Sequence, residues 1–300
     1  MQRHFKLSAL IRFLSNEGIS FNLQNTDQDF TISGFSALSE TKPGTLTWMK
    51  QPSGNWDEIE AAVVICPIHA DPPKNKKTLF IKTEHPRLVF SKILDKFATD
   101  PFPSQIDETA VISGSAEIAD NVYIGPYCVI GDDVKIGSGS VIHSNVTIYP
   151  NTTIEENCII HSGTVLGGDG FGYERDENQK PFKIRHIGGL RIEKNVEIGN
   201  NSCIDRGTLS DTIIQENTKI SNQCNISHNV VIGKNVMICA KACVNGSTKV
   251  EDNVWISPGS IINNGLRIGN NCTVGSGAVV IRDVPPFDVV AGVPARSLKK

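Results

Sequence analysis

The sequence predicts a mainly β fold, a three-sided parallel β-helix preceded by a small α/β unit, and three observations carry that prediction. Isoleucine recurs every six residues from Ile106 to Ile160 without a miss. After a break the phase returns at Ile192, Ile198 and Ile204, slips by four residues, and holds at twelve further Ile or Val positions from Ile214 to Val280. Residues 1 to about 100 lack the period altogether.

A strict period of six fits neither a 3.6-residue helix nor a simple two-residue alternation. A prism of three hexads per coil does fit, because it places every sixth residue inside and stacks residues 18 apart on successive parallel strands, roughly 4.8 Å from one another. Gly or Asn commonly neighbours the apolar residue, as in Tyr123-Ile124-Gly125 and Val231-Ile232-Gly233, and these residues are expected to take the positive φ of the corners. This pattern resembles that of the hexapeptide-repeat acyltransferases. The resemblance implies a left-handed coil, against the usual right-handed crossover, and assembly as a homotrimer.

Ahead of the repeat, Ser8 to Leu14 reads as a helix that stops before Gly18. Short apolar runs at Phe30–Ile32, Thr45–Met49, Ala61–Ile65 and Thr78–Ile81 read as strands, and Pro86 opens a second helix through Leu88, Val89, Ile93 and Leu94. Asp100-Pro101-Phe102-Pro103 marks a linker. The expected organisation is therefore an α/β domain over 1–100, a β-helix over 101–281 and a C-terminal extension over 282–300. Inside the solenoid, the longest break in phase runs from about Gly167 to Leu190 and contains Gly167-Gly168-Asp169-Gly170-Phe171-Gly172-Tyr173, an extruded loop whose glycines suit either close backbone approach to a ligand or simple flexibility. A smaller break, Asp205 to Asp211, reads as an outward bulge.

Composition removes several function classes. A net charge of -3 leaves no basic footprint for nucleic acid. The N-terminus leads into a charged amphipathic segment instead of an apolar signal core, and no run of about 18 apolar residues occurs, so a cytoplasmic protein without a membrane span is expected. Eight scattered cysteines form no Cys-x-x-Cys pair and read as reduced thiols. Four of them, Cys128, Cys158, Cys224 and Cys272, fall four residues after an Ile, in what reads as a slot for small apolar side chains.

Acyl transfer to an amine requires a base for the amine proton and donors for the oxyanion. His228 stands among polar residues in Asn222-Gln223-Cys224-Asn225-Ile226-Ser227-His228-Asn229, on the most regular stretch of the repeat. One coil of 18 residues further on is Gly246, whose N–H would lie about one strand spacing away. A surface histidine is the plain alternative. His143 and His161 are also 18 apart and should stack on one edge; two imidazoles can begin a metal site, but no third ligand shares their phase, so a polar edge is the better reading and no metal is assigned.

Three passages, Ser162 to Tyr173, Ile204 to Leu209 and Asn222 to Gly233, closely resemble the UDP-3-O-acylglucosamine N-acyltransferases of lipid A and lipopolysaccharide biosynthesis. That resemblance implies an N-acyltransferase with no tightly bound cofactor. Its co-substrates would be a UDP-linked amino sugar and an acyl thioester carried on acyl carrier protein or CoA. It makes His228 the general base and Gly246 the oxyanion donor, and it places substrate contacts at Asp169, Phe171, Tyr173, Asp205, Asn222 and Gln223. The resemblance extends to Gly34–Leu38 and Pro43–Met49, where the family has a uridine-binding domain with two aromatic rings around uracil. Trp48 matches the first ring; the second position falls near Gly54, with Trp56 close by.

Two departures accompany the likeness. Where the family carries another His after Ser-x-Ile-Asn-x, this chain reads Ser260-Ile261-Ile262-Asn263-Asn264-Gly265. The passage Val279 to Arg296 resembles instead the ending of coenzyme-A-dependent sugar acetyltransferases, with no helical pattern after it. The alternatives are thus a short-chain acetyl-CoA-dependent N-acetyltransferase of a nucleotide-linked deoxyamino sugar, or a nucleotide-sugar-binding protein without catalysis. A metal-dependent hydratase ranks below both.

Overall fold

The computed structural model describes residues 3–25, 28–52, 56–74 and 77–299. The chain divides into two compact units, Met1–Pro101 and Phe102–Lys300.

In the first unit the elements run β1 (Phe5–Lys6), α1 (Leu7–Asn16), β2 (Asn22–Gln24), β3 (Thr31–Ile32), β4 (Leu46–Trp48), β5 (Val63–Pro67), β6 (Leu79–Thr83) and α2 (Pro86–Ala98). A four-stranded sheet has the order β2-β6-β5-β4, with β4, β5 and β6 parallel and β2 antiparallel at the edge. Every residue of β5 is buried, as expected of a parallel strand covered on both faces. Val63, Ile65, Leu79 and Ile81 meet Leu10 and Leu14 of α1 and Val89 and Ile93 of α2. The alternate residues Val64, Cys66 and Phe80 form a second cluster with Met49, Ile59 and Ala70. Both helices and four of the strands follow the sequence pattern; β1 and β2 are too short and polar to have shown in it.

The second unit is a parallel β-solenoid whose coils build three walls of 11, 9 and 8 strands. Pairing is in steps of 18, as in Tyr123↔Val141↔Ile159 on the first wall, Val129↔Thr147↔Val165 on the second and Lys135↔Thr153 on the third. The hexad Ile and Val residues fill the interior, almost all of them fully buried from Ile124 onward. No helix among the described residues is long and apolar enough to cross a membrane.

The corners differ from the expectation in one respect. Positive φ falls three residues after the hexad Ile, at Asn145, Asn151 and Asn157, and without interruption at Asn217, Gln223, Asn229, Asn235, Lys241, Ser247 and Asn253. Asn recurs there because its short polar side chain tolerates the left-handed region. The Gly directly after Ile serves close approach instead: a Cβ on Gly125 would lie 2.9 Å from the Ser144 nitrogen of the next coil.

The cysteine slot is also more than apolar. Ser140, Thr218 and Thr248 occupy the same phase, each donating its hydroxyl to a carbonyl 15 residues on (Glu155, Gly233 and Asn263, 2.8–3.0 Å). Cys128 and Cys224 donate their thiols in the same way to the carbonyls of His143 and Cys239. The slot therefore selects a small donor for a buried carbonyl, which Ser, Thr and Cys all supply. All eight cysteines are free, and burial pushes the Cys158 thiol up to about 11.

The two ends of the solenoid depart from the drawn boundaries. Phe102, in the Pro-rich linker, packs its ring on Tyr123 and His143. Residues 282–300 do not stand apart as an extension: Val289–Ala291 continues the first wall in parallel with Thr273–Val274, and Arg296–Ser297 folds back antiparallel on it. Asp288, buried beneath, accepts from Ser297 Oγ and Val289 N–H.

Candidate active site on one edge of the solenoid

Both phase breaks leave the prism at the same edge. The first runs between Val165–Gly168 of the second wall and Leu190–Ile192 of the third, and the second between Cys203–Asp205 and Thr212–Ile214 of the same two walls. His228 follows Asn225–Ile226 one coil later, on that same edge. The first excursion is a hairpin pairing Tyr173–Arg175 with Pro181–Lys183. Ile187 N–H donates to the Thr208 carbonyl (2.8 Å), Gly189 N–H to Asp211 Oδ1 (2.8 Å), and Arg206 Nε to the Gly167 carbonyl (2.7 Å), so the two excursions are fastened together.

His228 is half-buried, its ring oriented from both sides. Asn229 sits at the corner with φ 60°, and its Nδ2 donates to the Ser210 carbonyl while its Oδ1 accepts from Thr208 N–H (3.1 Å) and Thr208 Oγ1 (2.9 Å). Those bonds fix the amide, so at 3.0 Å its Oδ1 accepts a hydrogen bond from His228 Nδ1–H, and the lone pair of the neutral ring is on Nε2. On the Nε2 side lies Gly246. A Cβ there would stand 2.8 Å from both Cε1 and Nε2 of His228, so the imidazole rests directly on the glycine backbone. The flanking ladder bonds use Asn245 N–H and Ser247 N–H, and none among the described residues engages the N–H of Gly246.

Around this pair stand two carboxylates of opposite character. Burial pushes Asp205 up to about 6, with His228 opposing the rise and Asp169 adding to it. Asp169 is held below the usual carboxylate range by its hydrogen bond to Lys183. Phe171 is 87% exposed, and Tyr173 lies 5.0 Å from it, ring to ring.

The remaining expected residues are elsewhere. Asn222 and Gln223 lie on the adjacent edge, between the first and second walls, where Asn222 Oδ1 accepts from Asn200 N–H (2.7 Å) and Gln223 forms a corner with φ 58°. Within this chain they are corner residues and do not join His228, because the width of a wall intervenes. Trp48 and Trp56 do not flank a common space. Trp48 stacks on Phe90 at 6.1 Å and lines a cavity of about 600 Å³ with Lys50, Glu84, Arg87 and Leu88. Trp56 packs edge-on to Phe80 in the cluster on the other face of the sheet. Gly54 lies outside the described residues. Gly265 takes φ 70° at a corner of the His228 edge.

His143 and His161 stack as expected, 5.0 Å apart and 6° from parallel, and His161 Nε2 meets Glu197 Oε1 at 2.9 Å. Among the described residues no group of three or more His, Cys, Asp or Glu stands where it could hold a metal ion.

Sequence reasoning missed His186, which is 5% exposed. It lies within the long break, where no phase exists to locate it. The role of Asn229 was also missed, although its place beside His228 at a corner was readable.

Residues 133–168 and 247–282 match the bacterial transferase hexapeptide family model (six repeats), and 229–264 match the hexapeptide repeat of succinyl-transferase. The chain is 46% identical over 294 residues to a UDP-3-O-acylglucosamine N-acyltransferase of Methylacidiphilum infernorum, covering 91% of this chain and 83% of that one. It is 40% identical over 240 residues to the protein of that name from Delftia acidovorans, covering 78% and 71%. Among solved structures, a UDP-N-acetylglucosamine acyltransferase of Francisella novicida superposes with a TM-score of 0.59 at 29% identity, covering 64% of this chain and 68% of that one.

Proposed function

This chain belongs to the UDP-3-O-acylglucosamine N-acyltransferase family, and from that premise we propose that it transfers an acyl group from a thioester to the amine of a UDP-linked amino sugar in lipid A biosynthesis, in the cytoplasm. The observation that carries the reading is the His228 imidazole, Nδ1 bound to Asn229, lying with Nε2 against the backbone of Gly246. Nε2 takes a proton from the sugar amine as its nitrogen attacks the thioester carbonyl carbon. The carbonyl oxygen gathers charge toward the Gly246 N–H. As the tetrahedral intermediate collapses, the C–S bond breaks and the imidazolium returns its proton to the departing thiolate, leaving the amide. Asp205, when ionised beside His228, offsets the transient charge of the imidazolium. Asp169, Phe171 and Tyr173 stand on the same edge, where they would contact the substrate; in the first unit, considered by itself, the cavity that Trp48 lines with Lys50 and Arg87 suits a stacked nucleobase such as uracil.

The test is kinetic. With a UDP-amino sugar and an acyl thioester, His228→Ala is expected to lower kcat about 10²–10⁴-fold, the ordinary contribution of a general base. Retention of most of kcat/KM would end the reading.

The acyl thioester is proposed to be carried on acyl carrier protein or on CoA. A short-chain CoA donor is the second reading, favoured by the C-terminal strands Val289–Ala291 and Arg296–Ser297 and by the sequence around them. Rates with acetyl-CoA and with long-chain acyl carrier protein separate the two. Assembly as a homotrimer is supported by the second wall, whose outward positions Val111, Val129, Thr147, Val165, Cys203, Asn225, Cys243, Ile261 and Val279 carry no charge. The third wall presents Glu117, Lys135, Arg191, Lys249 and Arg267 instead. An uncharged wall of this length suits burial against other copies. Light scattering of the purified protein should return three times the 32.6 kDa chain mass.

A further inference from the structure

His186 lies on the first excursion, directly after the hairpin, yet it is the one histidine among the described residues that is buried. Its Nδ1 lies 3.0 Å from the Ile184 carbonyl, which can only accept, so Nδ1 carries the proton and Nε2 a lone pair. That Nε2 is buried without a hydrogen-bond partner among the described residues. Its ring meets the His228 ring at 5.2 Å and 68°, an edge contact. The backbone that lies against both rings is Gly170, and Gly172 lies against His186 alone. A Cβ on Gly170 would stand 2.8 Å from His228 Cδ2 and 3.1 Å from His186 Nε2, and one on Gly172 would stand 2.7 Å from His186 Cε1.

Resting on the assignment of His228 as base, we propose that His186 is a positioning residue whose ring, in edge contact with that of His228 and with its Nε2 end beside Gly170, holds the His228 ring in place. Three of the four sides of His228 are then accounted for by others: Asn229 at Nδ1, Gly246 at Nε2 and Cε1, Gly170 at Cδ2 and Cβ. The remaining freedom is rotation about the side-chain bonds, which an edge-on ring opposes. His186 is itself anchored at both ends, by its bond to the Ile184 carbonyl and by the Ile187 N–H bond to Thr208, the same Thr208 that holds Asn229. The excursion and the corner of His228 thus share one hydrogen-bonded frame. Burial and the nearby His228 both keep His186 neutral, so it adds no competing charge when His228 takes up a proton.

Three variants test this. His186→Gln places a polar group where Nε2 stands, His186→Asn keeps only a group where Nδ1 stands, and His186→Ala keeps neither. The expectation is a fall in kcat of about 10-fold or more for His186→Ala and His186→Asn, with KM for both substrates within about threefold of the parent, and recovery of most of kcat in His186→Gln. Loss of a structural residue alone would instead lower Tm and move Asn and Gln alike. If His186→Ala fails to fold, the Asn and Gln variants decide, and equal kcat in those two overturns the proposal. Unchanged kcat in His186→Ala beside an inactive His228→Ala overturns this inference and leaves the assignment of His228 standing. Full activity in His228→Ala removes the assignment itself.

Discussion

Two stretches of one solenoid are built from the same hexads and do different things. From Ile214 to Val280 the coils run without interruption, each corner taking its left-handed residue and each interior position its Ile or Val. From Val165 to Thr212 the chain leaves the prism twice at a single edge, and the raised carboxyl of Asp205, the His186 nitrogen without a partner among the described residues and the exposed ring of Phe171 occur there. The regular stretch fixes distances, because 18 residues return the chain to a neighbouring strand. The irregular stretch supplies groups that a strict hexad cannot hold. His228 stands where they meet, on a regular coil facing the excursions, and its position is set by the first while its surroundings are set by the second.

Substitutions that split the two contributions sharpen this contrast. The largest effect is expected in the interior. Ile226→Ala, two residues before His228, and Ile256→Ala, in a plain coil, should each lower unfolding stability by about 2–5 kcal/mol, since both side chains are fully buried. Only Ile226→Ala should also lower kcat, measured at a temperature where both variants remain folded.

Asp205→Asn comes next and has the opposite sign. Because burial raises the Asp205 carboxyl to about 6, the folded chain retains a proton that the unfolded chain releases near 3.8. The stability contributed by this group is complete below the lower value and is lost as pH rises through the upper one. Asp205→Asn should therefore stabilise the protein by about 1–3 kcal/mol at pH 8 and flatten its denaturation midpoint between pH 4 and 6, while slowing turnover. Destabilisation at pH 8 would deny that the site carries a buried charge.

Glycines divide the two regions again. Gly259, at a regular corner with φ 68° and open space around it, should lose about 1–2 kcal/mol on change to Ala, with kcat intact. Gly170→Ala meets His228 and His186 instead, and its loss should appear as a fall in kcat of about 10-fold. The smallest effect is expected from Lys183→Ala, which removes the ion pair to Asp169 on an exposed hairpin and should change stability by no more than about 1 kcal/mol.

How much of this was readable follows from the same division. The hexad period announced the walls, the interior and the spacing of His228 from Gly246, because a solenoid converts sequence separation directly into distance. It located both excursions as losses of phase but could not say what folds inside them, and His186 was missed for that reason. Their common edge was readable in principle: each break opens after a second-wall strand and closes before a third-wall strand. Asn222 and Gln223 entered the expected site through the family resemblance of the passage they share with His228, whereas six residues along this fold is one edge away. In the first unit there is no such ruler. Trp48 and Trp56 are close in the chain, yet they pack in clusters on opposite faces of the sheet.

The most direct test of the account is a kinetic cycle on His228 and Gly246. The three atoms nearest a Cβ on Gly246 all belong to the His228 ring, at 2.8–3.3 Å. Gly246→Ala should therefore lower kcat about 10-fold or more in the parent protein and change almost nothing once His228→Ala has removed the ring. Two losses that multiply in the double variant would mean that imidazole and glycine act apart, and would contradict the site described for this edge.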